Sequence, residues 1–173
     1  MKNYKAKLGK VNTFIFDFDG VLSDGMVLLT EEGHYLRKTS VKDGYALQLA
    51  VKKGFRIIII SGAKAEGMHK RLYNLNIKDI FLGVENKLEK YKEVKEKYGF
   101  EDENVVYMGD DIPDFEVLKS VGVATCPADA ATEIKEIADY ISDKKGGEGC
   151  ARDIIEQVLK IHKLWMNNDA YHW

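Results

Sequence analysis

Two kinds of hydrophobic spacing alternate along this chain. Residues 11–18 and 55–60 place aliphatic and aromatic side chains on both faces of an extended chain. That is the pattern of a strand covered on both sides. The second run holds four successive isoleucines, whose β-branches suit a pleated strand better than a helix. Shorter apolar runs predict strands at 80–84, 105–108, 121–125 and 140–142. Between them apolar positions recur every three or four residues: Met68, Leu72 and Leu75; Leu88, Tyr91, Val94 and Tyr98; Ile154, Val158, Ile161 and Trp165. Each set predicts a helix that buries one stripe. Strand and helix in alternation predict an α/β fold, a doubly wound (Rossmann-like) parallel sheet with helices on both faces.

One stretch departs from the alternation. Residues 26–29 and 35–38 flank Glu31-Glu32-Gly33, where glycine supplies a positive φ, so a small β-hairpin insertion is expected over about 24–39. With no internal repeat and no Pro/Ser-rich linker, residues 1–173 read as one domain.

Composition narrows the class. Acidic residues number 28 against 26 basic, a net charge of −2, without the basic excess that marks a nucleic-acid partner. The longest aliphatic run, 57–60, is far too short to cross a membrane. The opening MKNYKAKLGK has charge but no apolar stretch behind it, so a signal peptide is not expected. Cys126 and Cys150 show neither metal spacing nor a disulfide framework, and a reducing, cytoplasmic setting is expected.

In a doubly wound sheet the site lies beyond the carboxyl ends of the strands. There the first strand delivers Asp17-Phe18-Asp19-Gly20, the second Ser61-Gly62, and the 105–108 strand Gly109-Asp110-Asp111. Lys87 follows the 80–84 strand just ahead of a helix, and Asp114 sits one turn beyond Asp110. Asp17 and Asp19, two apart on an extended segment, should face the same way. Five carboxylates in one crevice repel one another unless a cation sits among them, and oxygen ligands with water suit magnesium. A lysine and a serine hydroxyl beside that metal provide what a phosphate needs, charge neutralisation and a donor. One carboxylate can attack phosphorus while the other protonates the departing oxygen and later activates water. Singly, a D-x-D turn, a GDD loop or a helix-capping Asp114 is ordinary structure. Together, in this order and each at a strand end, they read as phosphoryl transfer. A receiver-type signalling domain also gathers aspartates, a hydroxyl and a lysine on a parallel sheet. Its acceptor aspartate, however, ends a middle strand, and the order here runs against it.

The four segments DFDGV at 17–21, ISG ending in Ser61-Gly62, Lys87 and GDDxxD at 109–114 resemble the four motifs of the haloacid dehalogenase superfamily. The resemblance implies Asp17 as nucleophile, Asp19 as general acid/base, and Ser61, Gly62 and Lys87 on the phosphoryl group. It implies magnesium on Asp17, Asp110 and the Asp19 carbonyl, with Asp111 and Asp114 orienting water and Lys87. Between these motifs lie 43, 25 and 22 residues, which leaves no room for the mobile cap many members carry. The chain is similar to the capless sugar-acid phosphatases, also through Asp24-Gly25, Lys42-Asp43-Gly44 and the Gly-rich tail within 144–152. That implies hydrolysis of an eight-carbon 3-deoxy-octulosonate 8-phosphate, or of its nine-carbon 9-phosphate analogue, in lipopolysaccharide precursor synthesis. It also implies a homotetramer in which the hairpin offers contact surface and the tail, with Arg152, serves a neighbouring site. One position departs from the pattern: many octulosonate phosphatases carry arginine after the second-motif Ser/Thr-Gly, and here Ala63 and Lys64 follow. Lys64 or Arg71 is expected to stand in toward the substrate.

Overall fold

The central apolar runs become strands because hydrogen-bonded neighbours cover both their edges and helices cover both their faces. A computed structural model describes residues 3–172. After a short helix α1 (Tyr4–Leu8) comes β1 (Thr13–Phe16), then the hairpin strands β2 (Leu28–Leu29) and β3 (Tyr35–Leu36). There follow α2 (Val41–Lys52), β4 (Arg56–Ser61), α3 (Glu66–Asn74), β5 (Asp79–Leu82) and α4 (Lys87–Tyr98). The chain continues through β6 (Val105–Met108), α5 (Phe115–Ser120), β7 (Val123–Cys126), α6 (Thr132–Ile137), β8 (Tyr140–Ile141) and α7 (Cys150–Ile161). Six strands form one parallel sheet in the order β5-β4-β1-β6-β7-β8, while β2 and β3 pair antiparallel apart from it. The expected doubly wound sheet and its hairpin are both present.

Alternate residues of the central strands point to opposite faces, and both faces are buried. Phe14, Phe16, Ile57, Ile59, Val106 and Met108 pack under α2, α3 and α7. Ile15, Ile58, Ile60 and Tyr107 pack under α4, α5 and α6. Phe16 lies beside Ile59 and Met108, so the residues that follow β1, β4 and β6 emerge at one end of the sheet, next to one another. The crossover reverses direction at β1, between β4 on one side and β6 on the other, which opens the crevice there.

Several boundaries differ from the expected ones for local reasons. The 121–125 strand starts at Val123, because Gly122 packs against the Asp102 carbonyl, where a Cβ would fall 2.7 Å from the oxygen. The stripe expected through Ile161 and Trp165 stops sooner: α7 ends at Ile161, which is exposed, and Lys163 turns to φ 58. Its buried face is Ile154, Ile155, Val158 and Leu159.

The start of α7 is capped from another helix. Asp43 of α2, itself buried, accepts from the backbone N–H of Gly149 at 3.1 Å and of Arg152 at 2.7 Å. Two orphan amides of α7 are thereby satisfied by a carboxylate, which also complements the helix dipole. Ser40 caps α2 in turn by accepting from the Asp43 amide.

Candidate active site

The cleft at the carboxyl ends of β1, β4 and β6 measures about 410 Å³ and is lined by Asp17, Asp19, Ser61, Gly62, Lys87, Asp110, Asp111 and Asp114. Eight of the eleven residues singled out in the sequence therefore meet in one place. Asp17 directly follows β1; its amide donates to the Met108 carbonyl at 3.0 Å, which ties it to β6. The extended segment ends there. Phe18 begins a tight turn whose carbonyl accepts from Val21, Leu22 and Ser23, so Asp19 does not lie parallel to Asp17 as expected. Its carboxylate is instead held by Arg37, with Nε 2.7 Å from Oδ1 and Nη2 2.9 Å from Oδ2. Ser23 Oγ adds a third donor at 3.0 Å.

Gly20 completes this turn at φ +83, and a Cβ built on it would lie 1.9 Å from Asp110 Oδ2. Only glycine allows both the left-handed backbone and the approach of Asp110. Ser61 ends β4, buried, with its hydroxyl oxygen accepting from the Ala63 amide at 3.3 Å. Lys87 opens α4 behind the Asn86 N-cap and reaches inward, 3.0 Å from Asp17 Oδ2 and 2.7 Å from Asp114 Oδ1. Asp114 also accepts from the buried Tyr107 hydroxyl and, at 3.3 Å, from the Asp110 amide. Asp111 is exposed and caps its own turn by accepting from the Ile112 amide at 2.8 Å. The contacts that orient Lys87 are those of Asp114 and Asp17.

Asp17, Asp110 and Asp114 each bring one carboxylate oxygen within 4.8 Å of the others. Burial, then the charge of Asp114, lifts Asp17 to about 7 against the pull of Lys87. Burial, then Asp17 and Asp114, lifts Asp110 to about 8. Burial disfavours the Lys87 ammonium too, but Asp114 and Asp17 outweigh it and hold its pKa above the ordinary value. Three clustered carboxylates, two of which resist ionisation, form a donor set short of positive charge. An all-oxygen set of this kind fits a hard divalent cation such as magnesium.

Lys64 and Arg71 line a second cleft of about 650 Å³, with Phe18, Tyr35 and Arg37, between the hairpin and the start of α3. It adjoins the first, since Ala63 lines one and Lys64 the other. Arg152 lines neither cleft. Its guanidinium lies 5.7 Å from the Tyr45 ring centroid, 5.3 Å from that of Trp165 and 3.6 Å from Glu156. The tail glycines pack on their own chain: a Cβ on Gly146 would meet the Gly20 carbonyl at 2.0 Å, and the Gly147 amide donates to Val21 at 2.9 Å. Two site residues escaped the sequence reading. Tyr107 looks like one more apolar position of its strand, and Arg37 sits in a hairpin without periodicity.

A parallel sheet whose central strand ends in a buried carboxylate, with a serine, a lysine and two further carboxylates around it, is the constellation of one hydrolase class. Residues 79–154 match the family of haloacid dehalogenase-like hydrolases. The chain belongs to that family. Within it, the chain is similar to 3-deoxy-D-manno-octulosonate 8-phosphate phosphatase of Escherichia coli K12, 35% identical over 154 residues, 89% of this chain and 82% of the relative. It is likewise similar to the crystal structure of the phosphatase of that name from Yersinia pestis, with TM-score 0.91 and 29% identity over 94% of this chain and 88% of that one. The Moraxella catarrhalis phosphatase, solved with magnesium, phosphate and KDO, superposes with TM-score 0.90 and 30% identity over 93% and 92% of the two chains.

Proposed function

We propose that this chain is a magnesium-dependent phosphatase that hydrolyses 3-deoxy-D-manno-octulosonate 8-phosphate to the free sugar acid and phosphate. The observation that carries the reading is the Asp17–Lys87–Asp114 constellation beside Ser61, in a chain 35% identical to a phosphatase of that name. Asp17 attacks phosphorus and forms an aspartyl-phosphate, Asp19 protonates the leaving sugar oxygen, and Asp19 then draws the proton from the attacking water. Ser61 and the Gly62 backbone hold the phosphoryl oxygens, and Lys87 neutralises their charge. Asp17, Asp110 and the Asp19 carbonyl, with Asp114 close by, would hold magnesium, which supplies charge neutralisation on the transferring group. Asp111, exposed at the rim, would orient a water of that ion. Lys64 and Arg71 supply positive charge toward the substrate from the adjoining cleft.

The nine-carbon 9-phosphate analogue is a second reading. It rests on Ala63, which puts no forked cation next to Ser61-Gly62.

We further propose that residues 1–173 work as one domain and assemble as a homotetramer in the cytoplasm. The support is the hairpin, whose Met26, Leu28, Leu29, Tyr35 and Leu36 are all exposed in the isolated chain. In that assembly the tail presents Arg152, which its own cleft does not use, to a neighbouring site. Among the described residues, no helix is long and apolar enough to cross a membrane.

Phosphate release with magnesium across eight-carbon and nine-carbon keto-sugar-acid phosphates and simple hexose phosphates tests the reading. Preference for the eight-carbon ester, lost in Asp17→Asn with the fold intact, is the expected result and places the enzyme in lipopolysaccharide precursor synthesis. Preference for the nine-carbon ester selects the second reading. No turnover of any sugar-acid phosphate overturns both.

A further inference from the structure

Arg37 follows β3 directly and is the point where the hairpin touches the catalytic turn. Its guanidinium meets Asp19 as a fork: Nε lies 2.7 Å from Oδ1 and 3.0 Å from Oδ2, and Nη2 lies 2.9 Å from Oδ2. The Arg37 side chain is 11% exposed, and its Nη1 donates to the Tyr35 carbonyl at 3.2 Å. With Ser23 Oγ also on Oδ1, both Asp19 oxygens are engaged away from the Asp17–Asp110–Asp114 group. A carboxyl that is to give a proton to an ester oxygen must turn one of its own oxygens toward it. In this geometry neither is free to turn.

The same guanidinium lines the second cleft, where Lys64 and Arg71 add two more cations against the single acid Glu66. Arg71 is half-buried there and has no ion-pair partner among the described residues. The cleft therefore has an excess of positive charge within reach of a carboxylate, and the one fork in it already committed to a carboxylate is Arg37.

We propose that Arg37 is a latch on the general acid/base, opened by the carboxylate of the substrate itself. Without substrate the fork holds Asp19. When a sugar acid enters, its carboxylate takes the fork in place of Asp19, and Asp19 swings toward the ester oxygen. The exchange replaces one fork–carboxylate pair by another, so the two states stay close in free energy and modest binding differences decide between them. Arg37 is thus a positioning residue that makes catalysis depend on a group remote from the phosphate. The latch rests on the sugar-acid reading for its natural key, though not for its test.

The test compares the parent with Arg37→Gln and Arg37→Lys on octulosonate 8-phosphate and on p-nitrophenyl phosphate, which has no carboxylate. Opening the latch by mutation is expected to raise kcat/KM on p-nitrophenyl phosphate about twofold to fivefold, the scale of a partly exposed ion pair. The same change is expected to lower kcat/KM on the sugar-acid ester roughly tenfold to a hundredfold, mostly through KM, as a charged hydrogen bond is lost. Arg37→Lys, which keeps the charge without the fork, falls between parent and Arg37→Gln on both esters. Equal losses on both esters, or no rise on p-nitrophenyl phosphate, overturn the latch whichever ester the parent prefers. Should Arg37→Gln not fold, the absence of a rise in Arg37→Lys overturns it as well. The parent's own ranking of the two esters tests the sugar-acid reading separately.

Discussion

Lys87 donates to Asp114 at 2.7 Å while lying 3.0 Å from Asp17, so a single ammonium bridges the expected nucleophile and the carboxylate that anchors it. The Lys87 side chain is 6% exposed and that of Asp114 1%. Asp114 is itself fixed by Tyr107 and the Asp110 amide. The lysine thus arrives at the phosphate pocket with its direction already set, and little rotamer freedom remains to be lost when substrate binds.

Removing that ammonium leaves two buried carboxylates facing each other. Lys87→Ala is expected to cost about 3 kcal/mol of stability in chelator. Phosphate release should fall about a hundredfold or more at saturating magnesium. Denaturant melts and initial rates on one preparation check both. Unchanged stability would mean the pair contributes nothing to the fold.

Magnesium and pH should act on stability together. In the metal-free protein burial, reinforced by neighbouring carboxylates, raises Asp17 to about 7 and Asp110 to about 8. An unfolded chain has ordinary carboxylates near 4, so between about pH 4 and pH 8 the folded state binds more protons than the unfolded one. Stability from these two groups is therefore greatest below that window and declines as pH rises through it. Melting in chelator from about pH 5 to about pH 9 should show the decline, and added magnesium should widen its advantage over the same range. A metal-free midpoint that climbs between pH 6 and pH 8 contradicts this.

Gly20→Ala tests the closeness of Asp110. The substituted residue faces both a φ of +83 and a Cβ at 1.9 Å from Asp110 Oδ2. A stability loss of about 1–2 kcal/mol is expected from the backbone. Displacement of Asp110 should weaken magnesium binding by about tenfold or more, read by calorimetry. Magnesium affinity equal to the parent's would show that Asp110 adapts without cost.

Asp43 lies outside the cleft and acts on the fold by seating the head of α7. Asp43→Ala removes the acceptor for the Gly149 and Arg152 amides at the head of α7, an expected loss of about 1–3 kcal/mol. Asp43→Asn keeps one carbonyl acceptor and should lose less. Urea midpoints rank the three proteins.

The exposed apolar residues of the hairpin make the proposed assembly easy to challenge. Leu28→Glu together with Leu36→Glu places charge on a directly paired position of β2 and β3. Sedimentation should show smaller particles than the parent, and activity should fall with assembly. A parent that already sediments as a monomer disposes of the homotetramer.

Much of this site is legible in the sequence. Asp17, Ser61 and Asp110 could be placed because each ends a strand whose neighbours are apolar on both faces, a signal carried by consecutive residues. The six-residue helices α5 and α6 gave no such signal, since neither is long enough to display a repeated stripe. The turn at Phe18 escaped because three amides converge on one carbonyl, a local geometry that alternation does not encode. The contacts of Arg37 with Asp19 and of Asp43 with α7 escaped for a different reason. Each joins residues far apart in sequence through one polar side chain, and no spacing rule marks such a pair. The tail glycines stand out in the sequence, but their closest partners, Gly20 to Asp24, are set only by the folding together of the two segments.

The central place of β1 has a consequence during synthesis. Among the strands of this sheet it leaves the ribosome first, yet Phe14 is flanked by Ile57 on one side and Val106 on the other. A nascent chain that has emerged as far as α4 already carries Asp17, Ser61 and Lys87. It still has one bare edge on β1 and neither Asp110 nor Asp114, and such long-range pairing is slow to complete. Gly146 and Gly147 seat on the Gly20–Asp24 loop only after β8 has been made. The second half of the chain therefore completes the cluster begun by the first, and an interrupted translation product carries Asp17 and Lys87 without the carboxylates that surround and anchor them.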